Sequence, residues 1–150
     1  MRVARTIARP ERVPADVRWL HVDLAEQTLV AYEGDAPVLM TLVSSGREGY
    51  ETVKGTFQVR EKYLSTTMTG EDPVDGPYEV DQVPWTQYFW QSYALLGAYW
   101  HDGCGEGRSH GCVNIAPHDA RFLFEFTSPD LPDQWHARRR TRGTWVHLTR

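Results

Sequence analysis

Two cysteines and two histidines lie within twelve residues of one another, in a segment that is rich in glycine. His101, Cys104, His110 and Cys112 share this segment with four glycines, which lie between residues 103 and 111. A glycine-rich loop that carries Cys and His between regular elements is a common location for catalytic side chains. These residue types fit three kinds of chemistry.

In the first interpretation, Cys112 is a nucleophile and a nearby histidine is its base. In the second, His101, Cys104, His110 and Cys112 bind zinc through two nitrogen and two sulfur atoms, although most structural zinc sites space their ligands more widely. In the third, both cysteines pack in the core or form a disulfide between Cys104 and Cys112. The residue types favour the nucleophile and leave the other two interpretations open.

Either histidine could serve as the base. His110 is two residues from Cys112 on the same backbone segment, so its ring cannot easily face the sulfur. His101 comes from a different strand and can approach freely, so we expect it to accept and donate the proton. His110 is then expected to orient the site or bind substrate. Gly111 lacks a Cβ, so its N–H and that of Cys112 can point at a developing oxyanion.

Two neighbours of the histidines are candidate orienting residues. Asp102 follows the expected base and could hold its ring in place. Ser109 precedes the second histidine and could hydrogen-bond it or cap the turn.

The elements around the loop are mostly strands. Period-two alternation predicts a first strand at 18–24 with one apolar face, followed by strands at 28–33 and 37–44 in an antiparallel meander. Pro117 and Asp119 favour a helix over 117–126, since proline suits the first helical position and an acidic side chain suits the first turn. The remaining predictions are a loop at 45–55, a strand at 56–65, an irregular stretch at 66–81, a hairpin of 83–90 with 93–101, a loop at 128–142 and a last strand at 143–149. The predicted fold is therefore mainly β, with one principal helix after the glycine-rich loop.

Length and composition indicate one domain with a short extension. The 150 residues suit a single core, and residues 1–17 are polar and contain Pro10 and Pro14, so we expect an arm or linker there and a domain at 18–150. The net charge of −4 argues against a nucleic-acid-binding module, despite the arginines at 138–140 and 142.

No stretch of the sequence has the character of a membrane anchor. No apolar run approaches the ~20 residues that a transmembrane helix needs. The first ten residues are basic but lack the apolar region of a signal peptide.

The segment Ser109-His110-Gly111-Cys112-Val113-Asn114 resembles the S-H-G-C-hydrophobic-Arg/Asn signature of the YkuD-type L,D-transpeptidases. His101-Asp102 fits the upstream histidine of that family. The resemblance extends to the hairpin at 19–29 and to residues 44–57, which are similar to the family's S-T-G … T-P-x-G-x-F stretch, with Val53 in place of the usual proline. It covers the chain from about residue 18 to residue 150, and Cys104 departs from it by occupying a position where an apolar residue is expected.

The resemblance implies a β-sandwich and a cysteine acyltransferase that needs no metal or cofactor. Cys112 would attack the third residue of a peptidoglycan tetrapeptide stem, and His101 would move the protons. The amine of a second stem, or of a wall-attached protein, would then accept the acyl group, and between two stems this gives a 3→3 cross-link. With water as acceptor, the same pair would make an L,D-carboxypeptidase or a hydrolase of a wall-protein linkage. The alternative of another class is a zinc-stabilised, non-catalytic wall-binding domain.

The resemblance also assigns roles outside the Cys–His pair. The Tyr88 hydroxyl is expected to reach the substrate, and the Asn114 amide to fix the loop or bind a substrate carboxylate. The loop at 45–55 would border the substrate groove, and residues 66–81 would form a flap over the site. The family implies a periplasmic or extracytoplasmic location, so we expect that a leader or anchor precedes this sequence.

Overall fold

The computed structural model describes residues 4–72, 76–98, 111–139 and 141–150. Within these ranges the chain forms ten strands and one helix. In chain order they are β1 Arg18–Asp23, β2 Thr28–Glu33, β3 Ala36–Ser44, β4 Gly55–Gln58, β5 Glu61–Asp72, β6 Gly76–Trp90, β7 Tyr93–Gly97, β8 Val113–Ile115, α1 Pro117–Phe126, β9 Ala137–Arg138 and β10 Trp145–Thr149. Across the described ranges, no helix has the length and apolar character that crossing a membrane requires.

The strands form one curled sheet in the order β4-β10-β1-β2-β3-β8-β7-β6-β5-β9. The first three strands make the antiparallel meander that the sequence predicts. β3 pairs with β2 along most of its length, and at its end it pairs with β8 through Val43–Ile115 and Ser44–Asn114. Since one strand is shared, the two halves of the sheet curl over a common core. The expectation of a mainly-β sandwich with one helix is confirmed.

The core lies between the two halves of the sheet and the helix. Its buried apolar side chains come from both halves and from α1: Leu20, Val22, Leu29, Ala31, Val43, Phe89, Leu95, Val113, Ile115, Leu123, Phe126, Val146 and Leu148. Burial of this many large side chains provides the main favourable free energy of folding.

The expectation that β1 has a single apolar face was wrong, because the outer face is also covered. Trp19 is fully buried and stacks on Tyr32, with ring centroids 4.1 Å apart. The segment before β1 covers this pair, with Val13 fully buried and the Ile7 N–H donating to the Tyr32 hydroxyl at 2.9 Å. Residues 4–17 therefore pack against the outer side of the sheet, and the domain boundary after residue 17 stays a prediction.

The largest difference from the sequence-based prediction is the hairpin formed by β5 and β6. Residues 66–81 were expected to be irregular, yet the described part of this stretch pairs in antiparallel fashion, from Glu61–Tyr88 to Asp72–Gly76. The strand signal was the β-branched threonines Thr66, Thr67 and Thr69, which favour extended backbone. With few apolar residues to alternate with them, the period-two pattern could not be seen.

Helix α1 begins at Pro117 and ends at Phe126, as predicted. Its buried residues include Leu123, Phe124 and Phe126. Phe122, although adjacent to the buried face, is 42% exposed and stacks on Phe126 at 5.9 Å. The helix packs on β6 and β7, on the half of the sheet that contains β8.

A buried lysine on β5 holds the C-terminal end of this helix. Lys62 is 1% exposed, and its Nζ donates to the carbonyls of Phe124 at 2.5 Å, Thr127 at 3.2 Å and Pro129 at 2.9 Å. The last carbonyls of a helix lack partners within the helix and carry its negative dipole end, so an ammonium group is well matched to them. Burial lowers the pKa of Lys62 to about 8, which leaves the group mostly charged at neutral pH.

Substituting Lys62→Met should destabilise the fold by about 3 kcal/mol, because the side chain keeps its length while three carbonyls at the end of α1 lose the ammonium donor. The free energy of unfolding would be measured by urea denaturation at neutral pH. Lys54, the other lysine of the chain, is exposed, so Lys54→Met is the matched control and should change stability little. Equal denaturation midpoints for the two variants would show that the lysine does not anchor α1.

Candidate active site

Cys112 lies immediately before β8, at the centre of the sheet. β8 pairs with β3 on one side and with β7 on the other, so the backbone that leads into the cysteine is held from both sides. The cysteine side chain is half-buried and packs against a cluster that contains Val83, Leu96 and Ala98. The thiol therefore occupies an apolar environment.

Two backbone groups near the start of β7 contact the sulfur. The Cys112 thiol donates to the Ser92 carbonyl, with Sγ 3.5 Å from the oxygen, and the Ala94 N–H donates to the sulfur. Burial raises the pKa of the Cys112 thiol to about 11, and the bond from Ala94 opposes that effect only in part. At neutral pH, roughly one thiol in 10⁴ would then ionise unaided, so a nucleophilic role requires a base.

Gly111 occupies a backbone position that only glycine can fill. Its φ is +122°, and a Cβ on it would lie 2.6 Å from Cε1 of Tyr93. Both the left-handed backbone and the close approach exclude a side chain. The carbonyl of Gly111 accepts a hydrogen bond from the Thr52 hydroxyl at 2.7 Å.

Tyr88 lies on β6 opposite Ala94, whose N–H contacts the cysteine sulfur. Burial, together with the negative charge that Cys112 carries when ionised, raises the pKa of Tyr88 to about 12. The phenol therefore stays protonated at neutral pH and can act as a donor. Tyr88 and Cys112 are thus close enough for the charge of an ionised Cys112 to act on the Tyr88 phenol.

Asn114 is placed differently from a substrate-facing residue. Its side chain is 3% exposed, and it lies on β8 between Ser44 of β3 and Leu96 of β7. Of the two roles that the sequence suggested, this burial favours fixing the loop over contacting a substrate carboxylate.

The other candidate residues, His101, Asp102, Ser109 and His110, lie outside the described residues. The same holds for Cys104, and with it for the zinc and disulfide alternatives. The roles of these residues therefore remain predictions from the sequence.

Thr52 is a residue that sequence reasoning missed. Its side chain is buried, donates to the Gly111 carbonyl and accepts from the Gly46 N–H at 2.9 Å. The sequence placed the 45–55 loop beside the groove but gave this threonine no role. The available signal was its position in the Thr-Val-Lys-Gly-Thr-Phe stretch, which is similar to the family's T-P-x-G-x-F pattern.

The chain matches the model of a known protein family. The YkuD family model, described as an L,D-transpeptidase catalytic domain, matches residues 17–148. No curated protein sequence matches the chain.

Similar solved structures are L,D-transpeptidases of longer chain length. A structure of an Enterococcus faecium L,D-transpeptidase, solved as a cysteine-to-serine mutant, is 23% identical with a TM-score of 0.72 and covers 90% of this chain and 50% of that chain. An L,D-transpeptidase from Mycobacterium smegmatis is 20% identical with a TM-score of 0.68, covering 89% of this chain and 58% of that one. The Ldtfm–avibactam carbamoyl enzyme is 25% identical with a TM-score of 0.71, covering 89% and 49%.

The present chain thus spans between about half and three-fifths of the length of these solved chains. The match to the family model covers nearly all of the described sheet and the helix, including β8 and the cysteine before it. The chain belongs to the YkuD family of L,D-transpeptidase catalytic domains.

Proposed function

We propose that this chain catalyses the formation of 3→3 cross-links between peptidoglycan stems through an acyl-enzyme on Cys112. The observation that carries the proposal is the position of the Cys112 thiol, half-buried before β8 in a domain of this family. One similar structure is a carbamoyl enzyme, which means that a related protein holds a carbonyl group covalently. A covalent carbonyl adduct is the type of intermediate that the proposed reaction needs.

In the first half-reaction, His101 accepts the thiol proton and the Cys112 sulfur attacks the carbonyl of the third stem residue. The carbonyl oxygen becomes an oxyanion, which the N–H groups of Gly111 and Cys112 stabilise. The tetrahedral species collapses, and the bond to the terminal D-alanine breaks. His101 returns its proton to the leaving amine, and a thioester remains on the enzyme.

In the second half-reaction, the side-chain amine of another stem attacks the thioester. His101 removes a proton from that amine and gives it to the departing cysteine sulfur, so the thiol is restored. The products are the cross-linked dimer and one free alanine, with no change of oxidation state. The amine of a wall-attached protein could take the same place as the acceptor.

The remaining candidates assist this chemistry. Asp102 and Ser109 orient the two histidines, His110 helps to position the substrate or the loop, and the Tyr88 phenol donates to the substrate from β6. Asn114 fixes the loop from its buried position. Because peptidoglycan stems lie outside the cytoplasm, the proposed substrate implies a periplasmic or extracytoplasmic location for the enzyme.

Incubating the reduced protein with a disaccharide-tetrapeptide should give a dimer whose mass is that of two monomers less one alanine. Cys112→Ala should lower its formation by roughly 10³-fold or more, because the variant has no nucleophile. Mass spectrometry of the products makes the measurement. Cys104→Ala is the matched control, since it removes the other cysteine of the chain and should retain the activity.

Each other product pattern would point to a different reaction. Tripeptide without dimer would indicate an L,D-carboxypeptidase, with water as the acceptor. Neither product, from protein that holds stoichiometric zinc and unfolds on chelation, would instead support the non-catalytic domain.

The pH dependence of Cys112 alkylation by iodoacetamide tests which histidine is the base. In the wild type, transfer of the thiol proton to His101 should give a reactive thiolate and an inflection near neutral pH, the range in which imidazole groups ordinarily change charge. In His101→Gln, the rate should rise steadily with pH towards the thiol pKa of about 11, which burial sets. Peptide mapping would separate modification of Cys112 from that of Cys104.

His110→Gln is the comparison variant for this experiment. It should keep the inflection near neutral pH, because the orienting histidine does not take the thiol proton. Loss of the inflection in His110→Gln with its retention in His101→Gln would reverse the assignment of the base.

A further inference from the structure

The Thr52 hydroxyl makes two hydrogen bonds whose directions are fixed. A hydroxyl has a single hydrogen, and here that hydrogen is donated to the Gly111 carbonyl at 2.7 Å. The Gly46 N–H donates to the same oxygen at 2.9 Å. The side chain is 3% exposed, so water cannot readily replace either bond.

The carbonyl that Thr52 holds belongs to the peptide unit that also contains the Cys112 N–H. In a trans peptide the C=O and the following N–H lie in one plane and point in opposite directions. Fixing the Gly111 oxygen therefore fixes the direction of the Cys112 N–H. The positive φ of Gly111, +122°, is part of the same arrangement, since rotation at this residue is the freedom that the hydrogen bond removes.

The loop that carries Thr52 is itself held by close packing and by buried hydrogen bonds. A Cβ on Gly46 would lie 1.9 Å from the Tyr50 carbonyl oxygen, so the loop closes tightly at this glycine. The neighbouring Ser45 N–H donates to Gln27 Oε1 at 2.9 Å, and Gln27 Nε2 donates to the Leu24 carbonyl at 2.8 Å. Both Ser45 and Gln27 are buried. The 45–55 loop that carries Thr52 is thus tied to the turn between β1 and β2, which is far from Cys112 in the sequence.

We infer that Thr52 is a positioning residue that holds the Gly111–Cys112 peptide with its N–H directed at the oxyanion of the acyl-transfer reaction. The inference rests on the proposed acyl-enzyme chemistry. The Thr52 hydroxyl binds the Gly111 carbonyl and the Gly46 N–H, so we expect it to act on the charge that develops on the substrate and to leave the ionisation of the sulfur unchanged. A residue with a purely structural role would, when replaced, affect acyl transfer and the reactivity of the thiol alike.

The test compares two reactions of the same thiol in the reduced full chain. Acyl transfer from the disaccharide-tetrapeptide forms an oxyanion, whereas alkylation of Cys112 by iodoacetamide forms none. Thr52→Val keeps the shape of the side chain and removes the hydroxyl, and Thr52→Ser restores the hydroxyl. Thr56→Val is the matched control, because it removes a hydroxyl that contacts His147 of β10 at 2.7 Å.

Thr52→Val should lower kcat for acyl transfer by about 10²-fold with little change in KM, which is the typical cost of losing one oxyanion donor. Its alkylation rate and the pH midpoint of that rate should stay within about twofold of the wild type, since the thiol and its base are untouched. Thr52→Ser should recover most of the acyl-transfer rate, and Thr56→Val should retain it.

An equal fall in acyl transfer and alkylation in folded Thr52→Val would overturn the inference, and so would unchanged acyl transfer. Folding is checked by Tm, and Thr52→Ala replaces Thr52→Val if the valine variant does not fold. Failure of the proposed acyl-enzyme chemistry looks different, because Cys112 of the wild type would then be alkylated while the protein formed neither dimer nor tripeptide.

Discussion

The position of the cysteine depends on the hydrogen bonds that hold β8 between β3 and β7. This strand has three residues, and it is the point at which the two halves of the curled sheet meet. Cys112 immediately precedes β8, and α1 begins two residues after β8 ends, so the position of β8 determines where the cysteine and the start of the helix lie. Thr52 then fixes the peptide on the cysteine side, while Lys62 fixes the far end of α1. Cys112 is thus placed by long-range contacts on both sides of a very short strand.

The environment that positions the thiol also opposes its ionisation. Burial among apolar side chains raises the pKa of Cys112 to about 11, and the nearby Tyr88 also stays protonated. A free thiolate is therefore not the resting state that the described residues favour. If Cys112 is the nucleophile, as we propose, proton transfer to a histidine must accompany its attack. An oriented peptide N–H would then have a larger effect on the oxyanion, because the apolar surroundings of the thiol displace bulk water.

Local signals in the sequence were sufficient for the helix, the first meander and the cysteine motif. Pro117 and the apolar spacing that follows it define α1, and the alternation at 28–33 defines β2. The β5–β6 hairpin was missed because its threonines carry strand propensity without apolar alternation. Thr52 was missed because its partner Gly111 is 59 residues away, and no local pattern encodes which backbone carbonyl a buried hydroxyl will meet. The histidine, aspartate and serine candidates rest on the sequence alone.

The most direct test of the central claim is the intact mass of the protein after rapid quenching with a tetrapeptide donor. If Cys112 forms the acyl-enzyme, a species heavier than the free chain by the tripeptide acyl group should appear, with one alanine released. Peptide mapping should then locate the adduct on Cys112. An adduct on Cys104 would contradict the claim that Cys112 is the nucleophile. So would cross-linked product from a protein whose Cys112 stays unmodified in every quenched sample and can be replaced without loss of activity.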